Sequence, residues 1–317
     1  MAAIELDGVT KRFGDVTAVE ELDLTVPEGE VFGFLGPNGA GKSTTINVLL
    51  DFVRPTAGRV EVLGMDPQRE SVAVRKRTGV LPEGFSTYDR LTGREHVEFA
   101  IESKGADADP DAVLERVGLA GDGDRKAGGY SKGMAQRLAL GMALVGDPDL
   151  LILDEPSSGL DPAGAKEMRD IVREEAERGA TVFFSSHVLG QVEAVCDSVG
   201  ILRDGKLVAR DSIEGLREAV GTGATLEITA EGVTDDDLGA VRALDGVDAA
   251  STDGATVTVQ CDSEAKTAVI GALEDAGVAV EDFSTRESSL EDLFLAYTEG
   301  EAPSDAATDA AGEEVDA

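Results

Sequence analysis

The run Gly36-Pro37-Asn38-Gly39-Ala40-Gly41-Lys42-Ser43-Thr44 carries the densest chemistry in the chain. It follows the apolar segment Val31 to Leu35 and precedes a helix-like stretch from Thr44 to Asp51, the setting in which such a loop wraps a phosphate. Glycines let successive backbone N–H groups turn inward as an anion nest, and the helix N-terminus behind them adds positive dipole. Lys42 then reaches the β- and γ-phosphate oxygens, and the Ser43 hydroxyl is a ligand for Mg²⁺. A second run, Leu150-Leu151-Ile152-Leu153-Asp154-Glu155-Pro156, reads as an apolar strand ending in two acids. Alone, that pattern is an ordinary loop entry. Downstream of a phosphate loop it supplies what the loop lacks: Asp154 holds the metal through its hydration shell, and Glu155 orients or deprotonates an attacking water. The implied chemistry is in-line attack of water on a nucleotide γ-phosphate.

These groups need rigid elements to hold them. Val31 to Leu35, Leu150 to Leu153 and Thr181 to Ser185 are mostly apolar runs, as expected of parallel strands covered on both faces. Glu20 to Val26, Arg59 to Leu63 and the pair Val199 to Arg203 with Lys206 to Arg210 read as more antiparallel strands, the pair turning at Asp204-Gly205. Thr92 with Glu95 predicts a capping box, and Asp109-Pro110 a cap and first-turn proline. Residues 1–220 are thus expected to form one α/β domain around a mixed sheet with a helical subdomain. After Gly221-Thr222-Gly223 the rhythm changes to strand (Leu226 to Thr229), helix (Asp235 to Ala243), two strands (Gly246 to Ser251, Ala255 to Cys261), helix (Ser263 to Ala276) and strand (Val278 to Phe283). This β-α-β-β-α-β order predicts a small ferredoxin-like α+β domain over 221–298. It closes with a helix from Ser288 to Tyr297 that opens on a Ser288/Glu291 capping pattern. Residues 299–317 read as an acidic, disordered tail.

Of the 317 residues, 63 are Asp or Glu and 28 Lys or Arg, a net charge of −35 that repels a phosphate backbone and disfavours nucleic-acid binding. The acids are spread along the chain, as expected of a surface solvated in a salt-rich cytosol, which suggests a halophile, a merely acidic mesophilic protein being the other reading. The two cysteines, Cys196 and Cys261, lie far apart without metal-ligand spacing and read as core thiols. The start, MAAIELDGVT, has no secretory pattern, and the longest apolar run, Leu138 to Val145, is far below the ~20 residues a spanning helix needs. A cytoplasmic location is expected.

Between the two chemical runs lies Tyr130-Ser131-Lys132-Gly133-Met134-Ala135-Gln136-Arg137, ahead of an apolar helix. It resembles the signature sequence of ATP-binding-cassette (ABC) proteins, and the resemblance, to an ABC transporter ATP-binding subunit, covers roughly Ile4 to Val220. It implies ATP as the nucleotide and a phosphate-loop NTPase fold of ABC type. Ser131, the Gly133 backbone and the helix behind them form a second anion site. In the family that site receives the partner subunit's γ-phosphate, so a head-to-tail homodimer or heterodimer is implied. Ser158-Gly159-Leu160-Asp161 resembles the D-loop, which in the family crosses the dimer interface, and the resemblance implies an ATP-site role for Asp161. His187 matches the switch histidine that contacts the γ-phosphate, whereas His96 lacks such a setting and reads as structural. Phe13 occupies the place of an aromatic that stacks on adenine, or is a packed strand-end ring. Gly79-Val80-Leu81-Pro82-Glu83 occupies the Q-loop, with Glu83 where most members have Gln; its carboxylate remains a ligand for Mg²⁺ or its water.

The C-terminal run Ser288-Ser289-Leu290-Glu291-Asp292-Leu293-Phe294-Leu295-Ala296-Tyr297-Thr298 is similar to the closing element of type-2 exporter subunits, the class of daunorubicin-type resistance and multidrug efflux proteins. YSKGM and LPE point the same way. The resemblance therefore implies an ATPase that powers export through a separate integral-membrane permease. It would sit peripherally on the inner face of the membrane, with the permease docking near Leu91 to Ser103. A soluble ABC ATPase without a permease and an interaction protein with a dead site are the other readings, and intact Lys42, Ser43, Asp154, Glu155 and His187 argue against the second.

Overall fold

The computed structural model describes residues 1–186, 188–220, 224–230, 233–234, 237–261, 265–286, 290–291, 294 and 297. Its strands are β1 Ala2–Phe13, β2 Val16–Pro27, β3 Val31–Leu35, β4 Ala57–Val62, β5 Thr78–Leu81, β6 Leu150–Asp154, β7 Thr181–Ser185, β8 Ser198–Arg203, β9 Lys206–Ser212, β10 Ala224–Ala230, β11 Val247–Asp253, β12 Thr256–Cys261 and β13 Val280–Arg286. The chain divides into two compact units, the second beginning at Asp211.

In the first unit, six strands form a sheet in the order β5-β6-β7-β3-β8-β9. The ladders β5·β6, β6·β7, β7·β3 and β3·β8 are parallel. Every residue of β3, β6 and β7 is buried, which is why these strands are apolar throughout instead of alternating. β8 and β9 join at Asp204 (φ 49°) and Gly205 (φ 82°), two left-handed residues as a tight hairpin turn requires. A second, antiparallel sheet, β2-β1-β4, shares one hydrophobic core with the first through Ile4, Leu24, Val62, Phe34 and Phe183. β1 is not legible as a strand in the sequence, because register shifts between Ala2 and Ile4 and between Leu6 and Val9 break the period of two. The expected strand end at Leu63 moves back to Val62, since Leu63 (φ 53°) and Gly64 (φ 72°) turn out of the extended region.

The helices Gly93–Lys104, Pro110–Arg116 and Lys132–Leu144 pack on one another. The first opens with the Thr92/Glu95 capping box and the second with the Asp109 cap and Pro110. His96 is buried between these elements: Nδ1 bonds the Thr92 carbonyl at 2.7 Å and Nε2 accepts the Tyr88 N–H at 2.9 Å. Both ring nitrogens are used internally, as a structural histidine requires. No helix among the described residues is long and apolar enough to cross a membrane.

The second unit contains the antiparallel sheet β11-β12-β10-β13 and the helices Ile213–Val220, Leu238–Arg242 and Lys266–Asp275. From β10 onward the order is β-α-β-β-α-β, and one sheet face carries Leu226, Ile228, Val257 and Val259 into an apolar core. The helix expected from Asp235 to Ala243 is shorter, Leu238–Arg242, and Asp235 lies outside the described residues. So do Ser263, Ser288 with its capping pattern, Leu293 and the tail 299–317. Leu290 and Tyr297 are buried.

Candidate functional site

The loop after β3 turns sharply under two carbonyls. A side chain at Gly36 would bring its Cβ within 2.5 Å of the Leu202 carbonyl oxygen, and one at Gly41 within 2.4 Å of that of Ala18. Gly41 (φ 110°) caps the helix Lys42–Leu49, so the helix N-terminus and its unpaired N–H groups face the loop. Lys42, the first helical residue, is buried, and its ammonium donates to the carbonyls of Gly36 at 2.6 Å and Pro37 at 3.2 Å. The loop's own oxygens thus solvate the cation.

Asn38, Gly39, Gly41, Lys42, Ser43 and Thr44 line a cleft of about 400 Å³ together with Ala18, Glu83, Asp154 and Glu155. The volume suits a small ligand. Burial holds the Lys42 pKa below its ordinary value, while Glu155, Asp154 and Glu83 pull it back up. Burial raises the Asp154 pKa; Ser185 and Lys42 oppose this, and Glu83 and Glu155 reinforce it. One buried cation therefore shares a cleft with three carboxylates from two separate segments, Glu83 on one and the adjacent Asp154 and Glu155 on the other. Among the described residues no group of three or more His, Cys, Asp and Glu side chains converges as a complete metal cage. Asp154, Glu83 and the Ser43 hydroxyl are hard oxygen donors, a set that suits Mg²⁺ when phosphate oxygens and water complete the shell.

Glu155, at the end of β6, is held in the left-handed region at φ 49°. Its N–H donates to the Ser185 carbonyl at 2.9 Å, and its Oε2 accepts from the Ser186 hydroxyl at 3.4 Å. Neither serine was singled out in the sequence; their position at the end of a strand beside an acid-tipped one is the signal that could have found them.

Ser131, Gly133 and Asp161 line a different cleft, of about 350 Å³. Ser131 caps the helix Lys132–Leu144 by accepting the Met134 N–H at 3.2 Å. Asp161 caps the helix Pro162–Glu177 by accepting the Gly164 N–H at 2.8 Å. The Lys132 ammonium donates to the Ser158 hydroxyl at 3.0 Å, tying the two segments together. These residues are not brought to Lys42. Phe13 stands at the end of β1, 49% exposed, with the Lys11 ammonium 4.8 Å from its ring centre, and is not among the residues lining the Lys42 cleft. His187 lies outside the described residues.

An ABC transporter family profile matches residues 19–158, and a profile described as ATP-binding protein DrrA1-3-like, C-terminal domain, matches residues 212–298. A daunorubicin resistance ATP-binding protein of Streptomyces coeruleorubidus is 37% identical over 307 residues, 93% of this chain and 96% of that protein. A bacitracin transport ATP-binding protein of Bacillus licheniformis is 40% identical over 221 residues, 68% of this chain and 71% of its own. Among solved structures, an ATP-binding subunit of an ABC transporter superposes with a TM-score of 0.65 at 28% identity, covering 69% of this chain and 93% of that one.

Proposed function

Because the chain belongs to the ABC transporter ATP-binding subunits, an ATPase class, we propose that it drives export through a separate membrane permease by hydrolysing Mg-ATP in composite sites. The observation that carries this is the division of the anion-binding residues between two clefts. Lys42, Ser43, Asp154 and Glu155 line one, and Ser131, Gly133 and Asp161 the other. A head-to-tail dimer would lay the second cleft of one subunit over the first cleft of its partner, completing a site that neither subunit completes alone.

In this reading the loop from Gly36 to Thr44 cradles the phosphates of ATP, and Phe13 stacks on the adenine. Lys42 exchanges its two carbonyl partners for phosphate oxygens. Asp154, Ser43 and Glu83 would hold Mg²⁺, which when bound would supply charge neutralisation at the transferring phosphoryl group. Glu155 takes a proton from the attacking water as its oxygen bonds to the γ-phosphorus and the bond to the β-phosphate oxygen breaks, leaving ADP and phosphate. His187, assigned from the sequence resemblance, contacts the γ-phosphate. The first unit, residues 1–210, is the ATP-binding domain and the second, from Asp211, an accessory domain, so the boundary falls ten residues before the one expected after 220.

The relatives' names, daunorubicin resistance and bacitracin transport, support drug export as the transport class and a permease as partner. The net charge of −35 supports operation in concentrated salt. The deciding experiment is Mg-ATP hydrolysis in molar KCl by the full chain and by Glu155→Gln. Loss of turnover with retained nucleotide binding supports the assignment, and equal turnover removes Glu155 as base. Co-purification from detergent-solubilised membranes tests the partner: a multi-span protein at near-equal amount supports export through a permease, and soluble proteins alone point to an ABC ATPase without one.

A further inference from the structure

Gln136 is a buried amide, 8% exposed, in the second turn of the helix that Ser131 caps. Its Nε2 donates to the main-chain carbonyl of Glu155 at 3.3 Å. A side-chain amide buried in an otherwise apolar stretch needs such a partner, since leaving its donors unsatisfied costs free energy. What matters here is whose carbonyl it holds.

Glu155 is a non-glycine residue at φ 49°, a conformation that costs about 1 kcal/mol or more and persists only when the surroundings enforce it. Among the described residues three contacts hold its main chain. The Ser185 carbonyl receives its N–H at 2.9 Å, and its own carbonyl receives the Ser158 N–H at 3.1 Å and the Gln136 amide. The Ser185 contact comes from the neighbouring strand of the same sheet, and the Ser158 contact from three residues along the same loop. Only the Gln136 contact comes from the helix whose capped end lines the second cleft. Ser131 to Gln136 is five residues, roughly 7.5 Å along one rigid helix.

We propose that Gln136 is a positioning residue for ATP hydrolysis: it holds Glu155 in its left-handed conformation and makes the aim of that carboxylate depend on where the signature helix sits. The inference rests on Glu155 acting as the base. Because Ser131, Gly133 and Gln136 stand on one helix, a phosphate that displaced Ser131 and Gly133 would also move the amide that holds the Glu155 carbonyl.

The test compares Mg-ATP hydrolysis and fluorescent ATP-analogue binding in the full chain, Gln136→Met, Gln136→Glu and Glu155→Gln. Methionine matches glutamine in size but cannot donate, so kcat should fall on the order of tenfold while the KM for ATP and analogue affinity stay within about twofold. Wild-type kcat in Gln136→Met would show that the side chain only fills space, and the inference falls. Gln136→Glu places an acceptor against the carbonyl at neutral pH but regains a donor when protonated. Its kcat relative to the parent should rise as pH falls, a recovery that a packing role does not produce. A flat ratio across pH also overturns the inference, even if Gln136→Met fails to fold. If Glu155→Gln hydrolyses ATP like the parent, the base assignment fails and takes the inference with it; if Glu155→Gln is inactive while Gln136→Met is fully active, only the inference fails.

Discussion

The six-stranded sheet of the first unit and the four-stranded sheet of the second use charge in opposite ways. The first buries Lys42, Asp154, Glu155 and Glu175, whereas among the described residues the second buries no charged side chain and fills its core with Leu226, Ile228, Val257, Val259 and Leu273. Burying an ion costs free energy unless partners compensate it. The compensation takes two forms in the first unit. Glu175 is ion-paired with Arg116 at 2.5 Å and Arg178 at 2.6 Å, its Oε2 accepting two hydrogen bonds from the Arg178 guanidinium, an arrangement that ties segments of the fold together. Asp154 has no arginine pair among the described residues: burial raises its pKa and lowers that of Lys42, the directions expected of charged groups in a ligand cleft. The difference teaches that a buried charge identifies the working unit only when it faces a cleft and not a pair of arginines.

Lys42→Ala breaks the comparison most sharply if it is wrong. Hydrolysis should drop on the order of 10²–10³-fold in a steady-state assay, with no loss of thermal stability, because the substitution removes an ion the fold had to desolvate. A large fall in melting temperature would mean that Lys42 serves the fold. Ile228→Ala, in the apolar core of the second unit, should cost about 2–5 kcal/mol in denaturant unfolding of that unit. ATP turnover per folded molecule should stay unchanged. Equal loss of turnover would show that the division of labour between the units is false.

Asp154→Asn should stabilise the protein at pH 7–8 while abolishing Mg-dependent turnover. The sign follows from the raised pKa. The folded state penalises the charged form above the folded pKa, and the penalty fades as pH falls through that pKa and is gone below the ordinary value of 3.8, where both states are protonated. The advantage of Asn in melting experiments should therefore shrink on acidification. Glu227→Gln, on the exposed side of β10, should move stability by no more than about 0.5 kcal/mol in the same experiment. A larger shift would mean that the surface acids of the second unit are not simply solvated.

Much of this was legible in the residues themselves. The loop from Gly36 to Thr44, the acid-tipped strand ending in Asp154 and the capping box at Thr92 depend on contacts within a few residues, so local spacing exposes them. β1 escaped because bulges break its alternation. The helix Pro162–Glu177 is marked locally only at its start, where the Asp161 cap precedes Pro162. Gln136 lay inside a quoted motif without a role, since its partner is the backbone of a residue nineteen positions away.

The sequence by itself determined the kind of chemistry, the order of elements and the division into two differently built regions, because glycine geometry, capping and hydrophobic period are short-range properties. Only the tertiary structure decided that Glu83, Asp154, Glu155 and Lys42 share one cleft, that Ser131 and Asp161 share another, and that a signature-helix amide holds the Glu155 carbonyl. Those facts rest on parallel strand pairing and helix packing between segments far apart in the chain. Parallel pairing carries no local register signal; it is set by the burial of whole apolar runs against one another.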